Sequence, residues 1–568
     1  MKLLILALGI AVASCAPPAV RDTISAPTRS AQPRTLEMVV NVEVKNLSPK
    51  AVGDTNPTRT TRIFNAGLTI LDAQDNVRPY LAEALPQLGS ETWQAFADGR
   101  METTWKLRPG LTWHDGQPLV AEDFVFALQV YRSPELSAFF LNRPQDIIDQ
   151  IVAVDPQTIR IHWRAPFLHT GDGIEPLPRG RLAEAFAALE QDPRGQRDAF
   201  TSLRFWTTEY VGAGPYSLTT WEPASHIEGA AFDGHVLGKP RIDRVVVRFI
   251  NDENVVLANM MAGQGIHLSM AQAMRFEQGT ILRERGGFND VDKKGRVMFK
   301  ATSTTTAIAQ FRPEYQQMPA LLDLRVRRAI AHAVDRDEIN EALFRGQAPP
   351  AYTFVQPDAS YWAEVDRAIT KYPFDPRRTE RLMQEAAFAK GRDGLFVGTG
   401  GERFQPAVWN SSGAQQEKLL AIVADTWQRA GIDAQQYVVP DGLARDQQTR
   451  ATFPGILINP FGLGEPTSFN HMTTEQIGTQ ANRWTGQNRG GWVNPEADLL
   501  WERFNKTLDR GEQIQMFLQG MKVHSEHVPS IPLHFSLNVV SHVAALKGPQ
   551  GDSQHWNIHE WELTFLSS

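Results

Sequence analysis

The sequence predicts an α/β protein of more than one domain. Residues 404–410 and 432–439 have the pattern of strands, and they flank an amphipathic helix over 416–430. Strand, helix and strand at these lengths are typical of a parallel sheet covered by helices. The β-branched and apolar runs at 36–44 and 245–250 indicate further buried strands. The 568 residues, 42% of them hydrophobic, suffice for two or three domains with cores of their own.

The first residues have the pattern of a secretory signal. Met1 and Lys2 precede 11 apolar residues, 3–13, whereas a membrane-spanning helix needs about 20. The run ends in Val-Ala-Ser-Cys, which resembles a lipobox. We therefore predict a lipoprotein signal peptide over 1–14, lipidation of Cys15, and a flexible tether over 15–35, which is rich in Pro, Ala, Ser and Thr. The alternative is a free thiol near an ordinary signal-peptide cleavage site.

Composition and motifs exclude several classes of function. The net charge of −7 shows no basic excess, so no nucleic-acid partner is expected. Because Cys15 is the only cysteine, an intramolecular disulfide and a multi-cysteine zinc site are excluded. The sequence contains no Gly-x-x-x-x-Gly-Lys-Ser/Thr loop, Gly-x-Ser-x-Gly elbow or His-Glu-x-x-His helix. His114 falls in an Asp-Gly turn, where a structural role is favoured, and His524 with His527 fits a solvated helix end better than a metal site. We expect no enzymatic activity, no cofactor and no metal.

The most informative stretch is 103–131. Residues 103–107 alternate as a strand, a Pro-Gly turn follows, and residues 111–113 are predicted to return as a second strand. Helical spacing begins at Ala121, behind a weak cap at Val120. Similar helical spacing over 498–518 predicts one further amphipathic helix.

This block resembles the fingerprint of the family 5 extracellular solute-binding proteins. These proteins are the periplasmic oligopeptide-, dipeptide- and nickel-binding components of bacterial ABC importers. Four more segments resemble the family in the expected order, so that the resemblance covers about residues 36 to 568: 63–83, 212–243, 324–336 and 528–535.

The resemblance implies a two-lobed periplasmic-binding-protein fold. It is the class II-like, large type, with an extra subdomain in lobe 1 and a hinge between the lobes. We expect lobe 1 over 36–269 with the inserted subdomain at about 76–204, lobe 2 over 270–535, and a return to lobe 1 over 536–568. The resemblance also implies a monomer in the periplasm or at the cell surface that delivers its solute to inner-membrane ABC permease subunits and touches the membrane only through its lipid anchor.

The resemblance and the loop composition together predict a binding cleft. Residues 483–492 mix tryptophan with Gly, Asn and Arg, a composition that suits recognition of a polar solute. The alternative is a surface loop folded on its own tryptophans. The predicted ligand-binding residues are Asn46, Asn65, Trp409, Asn410, Phe461, Gly462, Glu465, Trp484, Arg489 and Phe535.

One departure from the family pattern changes which ligand the sequence predicts. Peptide-binding members carry an aspartate that holds the α-ammonium of the peptide, and Gly462 stands at that position here, with Glu465 at the second acidic position. A buried ammonium without a carboxylate partner is costly. A neutral or anionic solute, such as an oligosaccharide or a modified amino acid, is therefore as compatible with the sequence as a peptide. Two other classes stay open: a secreted hydrolase, and a sensory or chaperone-like binding protein, each on the same scaffold.

Overall fold

The computed structural model describes residues 33–50, 57–73, 76–137, 139–140, 144–270, 272–465, 467–550 and 555–564. The predicted signal peptide, Cys15 and most of the predicted tether lie outside the described residues. Within these ranges, no helix combines the length and the apolar character that crossing a bilayer requires.

Strands and helices alternate along most of the chain. The strands are β1 (Thr35–Val40), β2 (Thr69–Leu71), β3 (Val77–Pro79), β4 (Trp93–Ala95), β5 (Met101–Lys106), β6 (Ile148–Asp155), β7 (Thr158–Trp163), β8 (Tyr216–Glu222), β9 (His226–Ala231), β10 (Arg244–Phe249), β11 (Leu268–Ser269), β12 (Gly295–Ala309), β13 (Phe388–Lys390), β14 (Phe396–Gly398), β15 (Ala407–Ser411), β16 (Gln435–Val439), β17 (Ile456–Gly462), β18 (Ser530–Val543), β19 (Leu546–Lys547) and β20 (Glu562–Leu563). The α-helices are α1 (Pro57–Phe64), α2 (Ala121–Arg132), α3 (Arg179–Gln191), α4 (Pro193–Thr201), α5 (Glu253–Ala262), α6 (Phe276–Glu284), α7 (Leu324–His332), α8 (Arg336–Phe344), α9 (Trp362–Ala368), α10 (Pro376–Glu385), α11 (Ala414–Ala430), α12 (Asp441–Ala444), α13 (Thr467–Asn470), α14 (Pro495–Lys506) and α15 (Arg510–His527).

One large sheet runs through the molecule. Among the described residues it has ten strands, in the order β16-β15-β17-β12-β18-β11-β1-β10-β9-β8. We call the half built on β1 and β8–β11 lobe 1, and the half built on β15–β17 lobe 2. In lobe 2, β15 is parallel to both β16 and β17, so the predicted strand–helix–strand unit is found as β15, α11 and β16.

Two long strands belong to both lobes. β12 and β18 pair antiparallel from Gly295 opposite Val543 to Ile308 opposite Ser530. The pairing register shifts between Ala301 and Ser303, where β12 passes from one lobe to the other, and again between Thr305 and Thr306. Such irregularities bend a strand locally. The lobe boundaries predicted from the sequence, at 270 and 535, stay predictions.

Lobe 2 has helices on both faces of its strands. Along β17, Ile456 and Ile458 pack on the side of Trp427 from α11. The alternate residues Leu457 and Phe461 pack on the opposite side, in the cluster that contains helices α14 and α15. Both faces are therefore buried, as expected of a parallel arrangement covered by helices.

The 103–131 stretch begins in a separate four-stranded sheet, β4-β5-β7-β6, and ends in α2. We call this sheet, with the helix packed against it, the subdomain. The predicted strand is found as β5, and Thr103 Oγ1 accepts hydrogen bonds from the indoles of Trp105 and Trp163 at 3.2 and 3.0 Å. The predicted second strand at 111–113 is reduced to a single antiparallel bridge between Thr112 and Pro118. Leu111 and Trp113 are buried on either side of this bridge and anchor the loop.

The helix predicted from Ala121 is found as α2, and its cap is stronger than Val120 suggests. Val120 contributes no side-chain cap, but the Asp123 carboxylate accepts the Val120 N–H at 3.0 Å. It also accepts the Trp113 indole N–H at 3.1 Å and the Arg179 N–H at 3.1 Å. One buried carboxylate thus joins the loop, α2 and the start of α3.

The single helix predicted over 498–518 is wrong, because the segment forms two helices. α14 ends at Lys506, and Asp509 caps α15 by accepting the N–H of Glu512 at 2.8 Å. Side-chain acceptance of a first-turn N–H is the usual signal of a helix start, and it competes here with continued helical spacing. Leu508 lies in the connection between the two helices.

Three of the family-like segments meet at one junction in lobe 1. A Cβ on Gly212 would lie 2.0 Å from the Phe64 carbonyl oxygen, and one on Gly214 would lie 2.4 Å from the Asn65 nitrogen. His114 closes the junction, since its Nδ1 accepts the Gly212 N–H at 3.2 Å and its Nε2 lies 3.0 Å from the Gly214 carbonyl oxygen. The imidazole is therefore neutral, with its proton on Nε2.

The buried, neutral His114 at this junction predicts that the free energy of unfolding decreases in acid. Burial lowers the pKa of His114 to about 4, whereas the unfolded residue titrates near 6.5. The stabilisation by neutral His114 is complete above pH 6.5 and is lost as the pH falls through 4. This one group should reduce the free energy of unfolding by up to about 1.4 kcal/mol per pH unit within that window.

His114→Asn removes the titration, because asparagine takes up no proton. We expect the variant to be less stable than the wild type by about 1–3 kcal/mol at pH 7.5, since two backbone groups lose their partner. Its stability should fall less steeply with acid, by about 1 kcal/mol per pH unit. Denaturant unfolding at pH 7.5, 6 and 5 measures both effects, and parallel pH curves for the two proteins would contradict the assignment.

Candidate functional site

The loop that follows β17 carries the main acidic group of the predicted cleft. Glu465 Oε1 accepts a hydrogen bond from Arg510 Nη2 at 2.8 Å, and the Glu465 side chain is only 5% exposed. Burial raises the pKa of the neighbouring Tyr361, and the Glu465 carboxylate raises it further. Arg510 is the first residue of α15. The break between α14 and α15 therefore places the counterion of Glu465 at a helix start.

Lobe 2 and the subdomain meet beside this ion pair. Leu508 packs against the apolar core of the subdomain, together with Phe167 and Leu168. A cavity of about 850 Å³ lies between the two surfaces, lined by subdomain residues 95–101 and 164–169 and by lobe 2 residues of α14 and the following loop. Burial lowers the pKa of His169, which also feels the charges of Asp172, Arg510 and Glu465. We call this contact region the seam.

Gly462 lies in β17, close to the start of α13. A Cβ there would lie 2.8 Å from Thr467 Cγ2, closer than real contacts allow. An aspartate at this position would therefore need Thr467 to move. The described residues of the loop thus offer one carboxylate, Glu465. Its Oε1 is paired with Arg510, whereas its buried Oε2 has no hydrogen-bond partner among the described residues.

Aromatic side chains form part of the lobe 2 surface. Trp409 on β15 and Tyr437 on β16 pack with ring centroids 4.7 Å apart, and Tyr437 is 43% exposed. Asn410 points to the other face of β15, where its Nδ2 donates to the Gln416 carbonyl oxygen at 2.7 Å. Trp409 is thus placed at a surface, whereas Asn410 fixes the start of α11.

Arg489 and Phe461 line the same small internal cavity of lobe 2. Phe461 stacks on the His471 ring at a centroid distance of 3.8 Å. Arg489 is 2% exposed, and the nearby guanidinium of Arg450 donates from Nη2 to Asn459 Oδ1 at 2.6 Å. Two cationic side chains and an aromatic stack therefore lie together beside β17.

Trp484 and Phe535 lie on other elements, although Phe535 and Phe461 pair with the same residue of β12, Thr304, from opposite sides. Trp484 contacts Tyr315, with ring centroids 6.3 Å apart, in the loop that follows the end of β12. Phe535 is buried in β18, where it pairs with Thr304 of β12. Their roles in ligand binding stay predictions, as do those of the other residues assigned from the sequence.

On lobe 1, the two predicted asparagines hold the loop that follows β1. Asn46 Oδ1 accepts the N–H of Ser48 at 3.0 Å. Asn65 Nδ2 donates to the carbonyl oxygens of Leu47 and Thr61 at 2.9 and 2.8 Å. These bonds tie the loop to α1, so both side chains shape this wall through the backbone.

A buried ion pair lies at the end of that loop. Lys50 is 4% exposed; its Nζ lies 3.1 Å from the Gly173 carbonyl oxygen and 3.8 Å from Glu175 Oε2. Burial lowers the pKa of Lys50, and the negative charge of Glu175 opposes that shift. Burial also raises the pKa of Glu175. The pair joins the loop after β1 to the segment after β7.

Sequence reasoning missed Arg450, His471, Lys50 and the pair formed by Arg510 with Glu465. None of them lies in a recognisable motif. Lys50 and Glu465 contact residues far away in the chain, whereas Arg450 contacts Asn459 and His471 stacks on Phe461 at closer spacings. The available signal was the acid that caps α15, Asp509, which marks a helix start and hence a break. In the part of the chain that the structure describes, no group of three or more His, Cys, Asp or Glu residues could hold a metal ion.

Comparison with known proteins identifies the fold and the family. The family model described as bacterial extracellular solute-binding proteins, family 5 (middle), matches residues 77–475, more than half of the chain. A curated relative, the di/tripeptide-binding protein 2 of Pseudomonas aeruginosa, is 23% identical over 525 residues, covering 89% of this chain and 90% of its own length.

Two solved structures share the fold. The oligopeptide-binding protein of Thermus thermophilus, complexed with a pentapeptide, has a TM-score of 0.71 and 20% identity, covering 93% of this chain and 96% of its own. NikZ from Campylobacter jejuni, in complex with Ni(L-His), has a TM-score of 0.70 and 20% identity, covering 93% and 99%. The predicted two-lobed α/β fold is confirmed, and this family consists of binding proteins, as the sequence predicted. The chain belongs to family 5 of the bacterial extracellular solute-binding proteins.

Proposed function

We propose that this protein captures a small polar solute between its lobes and delivers it to an ABC permease. The observation that carries the proposal is the seam, where Leu508 and α14 of lobe 2 face the subdomain across a cavity of about 850 Å³. The pair of Arg510 with Glu465 lies near His169, which lines that cavity. A cleft between two lobes that are joined through β12 and β18 can open and close, and a solute that contacts both walls favours the closed form.

The same proposal places the protein outside the cytoplasm, held to the membrane by a lipid on Cys15. Support comes from the lipobox-like Val-Ala-Ser-Cys sequence and the Pro-, Ala- and Ser-rich residues that follow it. We propose that it acts as a monomer and that its permease subunits lie in the inner membrane.

Native mass spectrometry of protein purified without denaturation tests the proposal. We expect a fraction of the protein to carry a solute of discrete mass that is released when the protein is unfolded. A fully empty protein that also gains no mass from extracts of the growth medium would contradict capture. A solute covalently changed during incubation would favour the hydrolase alternative.

We further propose that the solute has no free peptide ammonium held at the family position. Gly462 offers no carboxylate, and Thr467 fills the space where an aspartate would begin. Glu465, the remaining acid of the loop, is paired with Arg510. An N-acylated or otherwise modified amino acid or peptide, or an oligosaccharide, meets these conditions better than a free peptide does.

Calorimetric titration of matched peptides checks this ligand assignment. Di- to pentapeptides are titrated beside their N-acetylated forms and beside oligosaccharides. Because Gly462 supplies no carboxylate and the charge of Glu465 is offset by Arg510, N-acetylation should leave affinity unchanged or improve it. Tight binding of free peptides that disappears on N-acetylation would show that another group replaces the missing aspartate.

Cys15→Ser tests the lipid anchor. We expect mass spectrometry of the membrane fraction to find a diacylated or triacylated amino terminus that begins at Cys15. The variant should move to the soluble fraction, because one lipid-modified residue supplies the whole attachment. A Cys15→Ser protein that stays in the membrane fraction and is processed normally would contradict the prediction.

A further inference from the structure

The connection between α14 and α15 carries one apolar side chain, that of Leu508. The residues beside it are polar or charged: Thr507 precedes it, Asp509 caps α15, and Arg510 pairs with Glu465. Among the described residues, Leu508 packs against the core of the subdomain and not against the lobe 2 cluster that α14 and α15 share. The helix break thus directs one apolar side chain of lobe 2 at the core of another part of the molecule.

The surface that receives Leu508 is fixed to lobe 1. The apolar core of the subdomain also contains Ala66, Leu68 and Ala213, which lie at the junction with lobe 1. The strands of the subdomain come between α1 and β8 in the chain, whereas α14 and α15 come between β17 and β18. Leu508 therefore joins the two parts of the molecule that β12 and β18 connect.

Charged groups meet at the same contact without adding a net charge to it. Arg510 pairs with Glu465 at 2.8 Å. On the subdomain side, burial lowers the pKa of His169, which also responds to the charges of Asp172, Arg510 and Glu465. Because the two lobe 2 charges offset each other, the gain from the contact comes from the apolar burial of Leu508 and not from attraction between charged surfaces.

The contact is small enough to break and form again. Leu508 is only partly buried, and the cavity of about 850 Å³ lies beside it. That cavity is lined by Phe167 and Leu168, but also by charged side chains such as those of Arg164 and Glu502, so it is large and polar enough to hold water. Parting the seam therefore exposes little apolar surface beyond Leu508 and its immediate neighbours.

We propose that Leu508 is a latch that holds lobe 2 against the subdomain in the closed form before any solute binds. The inference rests on the proposed function, since it requires lobes that open and close, and it adds that the protein's own surfaces contribute to closure. The apparent affinity for a solute falls in proportion to the fraction of protein that is not closed. The latch therefore raises the affinity for every solute alike, and specificity is left to the cleft.

Distance measurements between two spin labels test the latch without any solute. The labels are attached to Val154→Cys in the subdomain and Leu499→Cys on α14, two positions with 52% and 53% exposure. A Cys15→Ser background removes the only natural cysteine. Bound solute is removed by unfolding and refolding, and native mass spectrometry checks its removal. We expect two populations of label distances, of which the shorter belongs to the closed form.

Variants assign the closed population to the latch. Leu508→Ser should lower the ratio of the short to the long population by about tenfold, because a partly buried leucine no longer stabilises the contact. Leu508→Met keeps an apolar side chain of similar size and should keep most of the short population. Leu168→Ser removes apolar surface from the subdomain side and should also lower the ratio, with little further loss when it is combined with Leu508→Ser.

Leu443→Ser is the matched control, because it replaces a leucine of lobe 2 that is 46% exposed and lies on α12. It should give the same ratio as the parent protein. Circular dichroism of each variant checks that its helices and strands are kept.

Three results would overturn the latch. They are a ratio unchanged by both Leu508→Ser and Leu168→Ser, an equal loss in Leu443→Ser, and a solute-free parent protein that shows only the long distance. Failure of solute capture has a different signature, in which native mass spectrometry finds no bound solute while Leu508→Ser still shifts the ratio. A protein that binds a solute but shows only the long distance when empty would keep capture and exclude the latch.

Discussion

The structure depends on one antiparallel pairing, that of β12 with β18. These two strands carry the chain from lobe 1 to lobe 2 and back, and their ladder merges both halves into one sheet. Because the register shifts where the lobes join, the pairing there is less regular than within either lobe. Each lobe keeps a large core of its own. A small cluster of Phe276, Phe344 and Ala348 lies beside β12 and β18, so bending there would disturb this cluster and leave the two large cores intact.

The polarity of the site follows from which charges are paired. Glu465 is paired with Arg510, and Lys50 lies beside Glu175, so these charges are offset within the protein. Arg489 and Arg450 have no such partner among the described residues. An interior tolerates an unpaired cation poorly, so these two side chains are the least balanced charges of the site.

Local pattern was enough to predict much of the fold. The strand–helix–strand unit of β15, α11 and β16 and the helix that begins at Ala121 each depend on spacing within a few residues. Prediction from residue spacing failed where side chains are buried for a reason other than regular secondary structure. Leu111 and Trp113 alternate like a strand because they anchor a loop, and residues 498–518 keep helical spacing across a real break at Leu508.

The candidate site was less predictable, because its contacts are long-range. The resemblance pointed to Glu465 and the loop composition to Arg489. Their neighbours Arg510 and Arg450 lie about 40 residues away in sequence, beyond the reach of any local pattern. The break before Arg510 was the one feature with a local signal, the capping Asp509. The missing aspartate at Gly462 was visible in the sequence, whereas the close approach of Thr467 required the structure.

Small-angle X-ray scattering tests the central claim, that the lobes close on a solute, most directly. The protein is measured after the co-purified solute has been removed by unfolding and refolding, and again with that solute restored to saturation. Closure about β12 and β18 predicts a smaller radius of gyration and a shorter maximum dimension in the loaded protein. An unchanged radius of gyration at verified saturation would contradict the account.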